Sequence, residues 1–129
     1  MRTLITILMA LSLGGCSTAY KWIPSFGDDN QSLIITDVRL RVERLDCNQP
    51  QAVQALAIKD SVDRFMLYSE SKGQLQQDVI HLVEPMKKTV DDFYKRSQDK
   101  EGSKTYCELK KKIMREQAQR AAASVMGRW

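Results

Sequence analysis

Residues 74–97 read QLQQDVIHLVEPMKKTVDDFYKRS, and the spacing of their apolar members decides what kind of fold the chain can make. Leu75, Val79, Leu82, Val83, Met86, Val90 and Phe93 fall within about 100° of arc when successive residues are rotated by 100° each, which is the single stripe of an amphipathic α-helix. Pro85 stands on the polar side, where its missing N–H removes one hydrogen bond and bends the rod without ending it. Such a stripe needs partners, and the flanking sequence supplies them.

Upstream, Gly73 closes a helix expected over residues 50–71. Its Ala55, Ile58, Val62, Phe65 and Met66 share one face, and Pro50 suits the first turn. Asn48-Gln49-Pro50 separates this from a helix expected over residues 31–47, with Ile34, Ile35, Val38, Val42 and Leu45 on one stripe and N-cap candidates from Asp28 to Ser32. Downstream, Asp99-Lys100-Glu101-Gly102 precedes a helix over residues 103–126, with Tyr106, Leu109, Ile113, Met114, Ala121 and Val125 facing inward. Its second half, residues 118–124, is small-sided, so a neighbouring backbone can approach closely or a shallow groove is left. Four helices with short connections predict an all-α, up-down-up-down four-helix bundle.

Two cysteines test that topology. Cys47 falls at the end of the first helix and Cys107 in the first turn of the fourth, so alternating directions bring them to one end, where a disulfide is geometrically possible. Closing a loop of about 60 residues stabilises a domain by roughly 4 kcal/mol in the chain-entropy model. Two free thiols or a metal pair are the alternatives; no CxxC occurs, and His81 is the only histidine.

The third cysteine has a different setting. Arg2, an apolar run over residues 4–13 and the sequence Leu13-Gly14-Gly15-Cys16 resemble the signal of a bacterial lipoprotein, in which the cysteine thiol is diacylated before cleavage. About ten apolar residues fall short of the roughly 20 that span a bilayer as a helix. The resemblance implies a mature chain beginning at Cys16, and Ser17 in place of an aspartate implies delivery to the outer membrane, facing the periplasm. The domain organisation expected is a signal at 1–15, a lipidated arm at 16–30 and a helical domain at 31–129. Removing fifteen of 129 residues leaves 114, enough for one domain with its own core. An export route also agrees with a disulfide, since the remaining cysteines form an even pair.

The arm carries Tyr20, Trp22, Ile23 and Phe26, more apolar area than a loose spacer would hold. Lys21, Trp22, Phe26, Arg128 and Trp129 meet at one end of the expected bundle. They either cluster on one another or sit in the headgroup layer beside the lipid.

Twenty basic and sixteen acidic side chains give a net charge of +4, a mild excess that in an exported chain favours anionic lipid or polymer over nucleic acid. Helix two carries a second apolar patch, Val53, Leu56 and Leu67 with Tyr68 at its margin, and Leu33 and Leu40 similarly fall off the stripe of helix one. The patch is either covered by the arm, absorbed into an irregular core, or a floor for a partner's amphipathic helix. Lys95, Arg96, Lys100, Lys104 and Lys110-Lys111-Lys112 gather at the opposite end, softened by Asp91, Asp92, Asp99, Glu101 and Glu108. They read as a solvated surface or a dock for an anionic envelope polymer or the facing inner membrane.

Catalytic patterns are sparse. His81 projects away from the apolar stripe, and Asp91 and Asp92 point about 100° apart instead of converging. No phosphate-cradling loop, zinc spacing or calcium loop occurs, so the expectation is a non-enzyme with no cofactor, metal or small-molecule substrate.

With Cys16 as lipid site and Cys47 and Cys107 joining the first of four helices to the last, the chain resembles the type II secretion pilotins, small lipoproteins that bind a terminal helix of a secretin subunit. That resemblance implies a protein partner in envelope assembly, with the off-stripe surface of helix two as its groove. Pro24-Ser25-Phe26-Gly27-Asp28-Asp29-Asn30 and Met126-Gly127-Arg128-Trp129 resemble segments of small lipoproteins from tailed-phage genomes, implying host lysis as an outer spanin or superinfection exclusion. A third class, an inhibitor of a periplasmic hydrolase, shares the small, stapled, exported form.

Overall fold

The computed structural model describes residues 28–127, apart from the side chains of Gln74 and Leu75. Four α-helices follow in order: α1 Asp29–Glu43, α2 Gln51–Ser71, α3 Gln77–Asp99 and α4 Lys104–Met126, with a short 3-10 turn, Gly73–Gln76, ahead of α3. No strand occurs among the described residues. Each helix packs against its sequence neighbours, and α4 closes the ring on α1. The cross-helix pairs run in opposite order along each neighbour, as an up-down-up-down bundle requires: Asp28 with Tyr68 and Asp37 with Ser61, then Lys87 with Asp63 and Asp91 with Lys59. Thr89 meets Gln117, and Glu43 meets Arg115.

The expected interior forms largely as read. Ile35, Val38, Val42, Ala55, Ile58, Val62, Phe65, Val79, Val83, Met86, Val90, Phe93, Met114, Ala121 and Val125 are all buried in one continuous core. Pro85 lies inside α3 on an exposed position and does not end it, as its place on the polar side predicts.

Several boundaries and faces differ from the reading. Helix α1 stops at Glu43, four residues before Cys47, and Leu45 is buried from the connecting loop instead of from a helix. Its start is earlier than read, because Asp28 caps it by accepting from the N–H groups of Asn30 and Gln31 at 2.9 and 3.2 Å. Pro50 is the N-cap of α2 instead of a first-turn residue. Gly73, at φ +76°, opens the 3-10 turn, so the α-helical part of the third element begins at Gln77 and not at residue 74.

Leu82 and Leu109 were both expected inside and are 40% and 55% exposed, while Ile34, Tyr106 and Ile113 are only partly buried. In α4 the true inward stripe is Cys107, Met114, Ala118, Ala121, Ala122 and Val125, rotated away from the Tyr106, Leu109, Ile113 line. Its small side chains do the burying, and they let α4 sit close to its neighbours.

The ends of the bundle are built differently. At one, Cys47 and Cys107 form a disulfide with Cα atoms 5.7 Å apart, flanked by Lys111 Nζ donating to the Leu45 carbonyl at 2.8 Å. Gln51 joins the other connection, its N–H donating to Glu101 and its Nε2 to the Gly102 carbonyl. At the opposite end the buried Gln31 Nε2 donates to Ser69 Oγ at 3.0 Å and Gln76 Oε1 at 2.9 Å.

Candidate functional site

Two helices hold most of the large exposed apolar side chains of the described residues. Of the eight large hydrophobic side chains exposed among the described residues, Leu33 and Leu40 stand on α1 and Val53, Leu56 and Leu67 on α2. Each group recurs at helical spacing on the side opposite its own core stripe. These are the positions singled out in the sequence, and the bundle brings both sets to one hairpin.

The seam between α1 and α2 fixes their register. Ser61 Oγ donates to Asp37 Oδ2 at 2.6 Å, and Arg41 Nε donates to the same oxygen at 2.8 Å. Burial pulls the Asp37 carboxyl upward, but these hydrogen bonds and the Arg41 charge outweigh it and hold the group below the ordinary carboxylate value. Two open depressions flank this bridge. One is lined by Asp37, Leu40, Arg41, Arg44, Gln54 and Ala57. The other is lined by Ile34, Asp60, Asp63, Arg64, Leu67 and Tyr68.

Tyr68, which lines the second depression, also holds the bundle together. Its hydroxyl donates to both oxygens of Asp28 at 3.0 and 2.9 Å, and Lys72 Nζ stands 5.0 Å from its ring centre and 3.1 Å from Asp28 Oδ2. The side chain is therefore half-buried and ties α2 to the cap of α1. Desolvation raises the Asp28 carboxyl, yet the Gln31 N–H, the Tyr68 hydroxyl and Lys72 together leave it below its ordinary value.

The basic end is less uniform than its sequence. Arg96 lies 4.7 Å and Lys110 5.7 Å from the Tyr106 ring centre, above an open depression that Asp92, Lys95 and Asp99 also line. Lys111 is committed to the Leu45 carbonyl. His81 is exposed on α3, 3.6 Å from Glu84. Asp91 is engaged with Lys87 at 2.6 Å and Lys59 at 3.3 Å. Among the described residues no group of three or more His, Cys, Asp or Glu could hold a metal ion, and no helix is long and apolar enough to cross a membrane.

Cys16, Lys21, Trp22, Phe26, Arg128 and Trp129, the residues read as lipid site and membrane-interface candidates, lie outside the described residues. The polar knots at the seam and at the Gln31 end were not read from the sequence. Gln31 and Ser69 nevertheless fall on the core stripes of their helices, one turn from Ile35 and from Phe65, a position where a polar residue must find a buried partner. No protein-family model, curated protein or solved structure matches this chain.

Proposed function

We propose that this chain is a non-enzymatic lipoprotein, held by acyl groups on Cys16 to the periplasmic side of a Gram-negative outer membrane. It acts by binding a protein partner through the outer face of α1 and α2, in an envelope-assembly role of the kind type II secretion pilotins perform. The observation that carries the binding reading is the concentration of exposed leucine and valine on that one hairpin, five side chains of eight. A surface of leucine and valine rimmed by Asp37, Arg41, Arg44, Asp60 and Arg64 suits an amphipathic helix, whose apolar side meets the ridge while its polar edges meet the rim. The lipid reading is supported by the sequence Leu13-Gly14-Gly15-Cys16 after an apolar run.

Two measurements test the parts separately. Labelled palmitate should enter the parent chain and not the Cys16→Ser variant; equal labelling sinks the anchor. A photo-crosslinking residue at position 56 should give, in intact cells, a discrete adduct with an envelope protein that a residue at position 112 does not give. Identical adduct patterns from both positions sink the binding face.

A further inference from the structure

Four of the five exposed hydrophobic residues of the α1–α2 hairpin are arranged symmetrically about a line, and the fifth, Leu56, mirrors Arg64 across it. The Ser61 to Asp37 hydrogen bond sets residue 37 of α1 level with residue 61 of α2. Leu33 and Leu40 lie on either side of that level, each about 5 Å away along α1 at 1.5 Å per residue. Val53 and Leu67 lie on either side of Asp60, each seven residues and therefore about 10 Å away along α2. Both midpoints fall on one line drawn across the hairpin through the Asp37–Ser61 bridge. A face built around such a line matches itself after a half-turn.

We infer that a second copy of this chain docks on this face, through a two-fold axis lying along that line and perpendicular to the helices. The inference rests on the same surface as the proposed function and names what covers it when no foreign partner does. The half-turn lays α1 antiparallel on α1 and α2 antiparallel on α2, so that each contact occurs twice. Leu33 meets Leu40 of the second copy, and Val53 meets its Leu67. Arg44 and Asp29 stand equally far from the line on opposite sides of it, so each Arg44 meets an Asp29 carboxylate at the rim. Asp60 lies on the axis opposite the Asp60 of the second copy, and Arg64, one turn along and opposite its Leu56, supplies the countercharge that this pair of carboxylates needs.

The dimensions agree with a dimer. Helices of 15 and 21 residues are about 22 and 32 Å long, and side by side they outline a face of about 540 Å² before side-chain relief is counted, the same order as the 800 Å² per partner in a standard interface. The α3–α4 hairpin has no such pattern. Among the described residues its exposed large hydrophobics are Leu82, Leu109 and Met126, with no mirror arrangement. Its surface also holds eleven basic and eight acidic residues between positions 73 and 127, against six and eight between 28 and 72.

The test uses the full chain. Sedimentation equilibrium of the purified protein in mild detergent should give the mass of two chains at tens of micromolar. Leu67→Glu, placed at an exposed position where it leaves the fold intact, introduces two charged lesions per dimer and should weaken association by about a hundredfold. Asp29→Arg and Arg44→Asp should each weaken it, and the double variant should restore it, an outcome that a general loss of folding does not produce. Asp60→Cys should form an intermolecular disulfide across the axis under mild oxidation, whereas Lys112→Cys on the far side should not. A parent chain that sediments as a monomer, a charge swap that fails to restore association, or equal linking at positions 60 and 112 overturns the inference. A monomer that still gives a foreign adduct at position 56 leaves the proposed function standing; a dimer with no foreign adduct does the reverse.

Discussion

The two ends of the bundle solve one problem with opposite chemistry. Each must close a ring of four helices over a core that would otherwise open to water. At one end a covalent bond between Cys47 and Cys107 does so, with Lys111 and Gln51 tying in the adjacent connections. At the other, three elements are held without a covalent bond, by Gln31 with Ser69 and Gln76 and by Asp28 with Tyr68 and Lys72. The first end answers to redox conditions. The second, from which the chain continues toward residue 27, answers to acid and is indifferent to reductant. Stability at the two ends is thus under separate control.

Removing the bond should have the largest effect. Replacing Cys47 and Cys107 by alanine frees a loop of 60 residues and should cost about 4 kcal/mol, which for a domain of this size lowers the melting temperature by roughly 20 °C. Thermal scans with and without reductant check it, and a loss below about 1 kcal/mol would mean that the interior alone holds this end. Next in size is Gln31→Leu, which strands the buried Ser69 hydroxyl and Gln76 amide and should cost about 2 kcal/mol, seen in urea midpoints. If that variant proves neutral, the second end is closed by packing and the contrast fails.

Asp28→Ala should cost about 1 to 2 kcal/mol at neutral pH through the lost cap and the lost Tyr68 bond. The pH dependence follows from the sign of the shift. The folded carboxyl titrates below its unfolded value of about 3.9, so its contribution is complete above that value and disappears as pH falls through the lower folded one. Asp37 and Asp91 are shifted the same way. The melting difference between parent and D28A should therefore be full at pH 7 and shrink below about pH 4. The smallest effect belongs to Leu67→Ser. With two-thirds of the leucine exposed, the substitution should change the stability of the dilute chain by less than about 0.5 kcal/mol.

Much of this was readable in the residue pattern, for a physical reason. The stripe from Val79 to Phe93 is long, strongly periodic and bounded by charges, so both its helical nature and its inward face follow from burial alone. The cysteine pair was readable because topology and parity agreed. The end of α1 was not, because Leu45 sits three residues after Val42 and is buried: a loop residue folded under the bundle mimics the helical period. The face of α4 was misread because hydrophobicity was weighed by side-chain size. Ala118 and Ala122 join the expected Ala121 inside through close approach of neighbours, whereas Leu109 is larger and faces water. The polar closure at Gln31 escaped notice because amides and serines carry no period of their own, and only the facing elements reveal what they bond. Of the surface, the sequence exposed the ridge of Val53, Leu56 and Leu67, but not the role of Tyr68, whose hydroxyl is spoken for by Asp28.

The position of the disulfide also determines how the domain bears a mechanical load. If force is applied between residues 28 and 127, tension passes along α1 to Cys47, crosses the sulfur bridge and returns along α4, leaving α2 and α3 unstretched. Only about 40 residues can pay out before the tether is taut, a length of about 140 Å. In a pulling experiment the reduced protein should lengthen by more than twice as much, and the difference between the two traces would measure the enclosed loop directly.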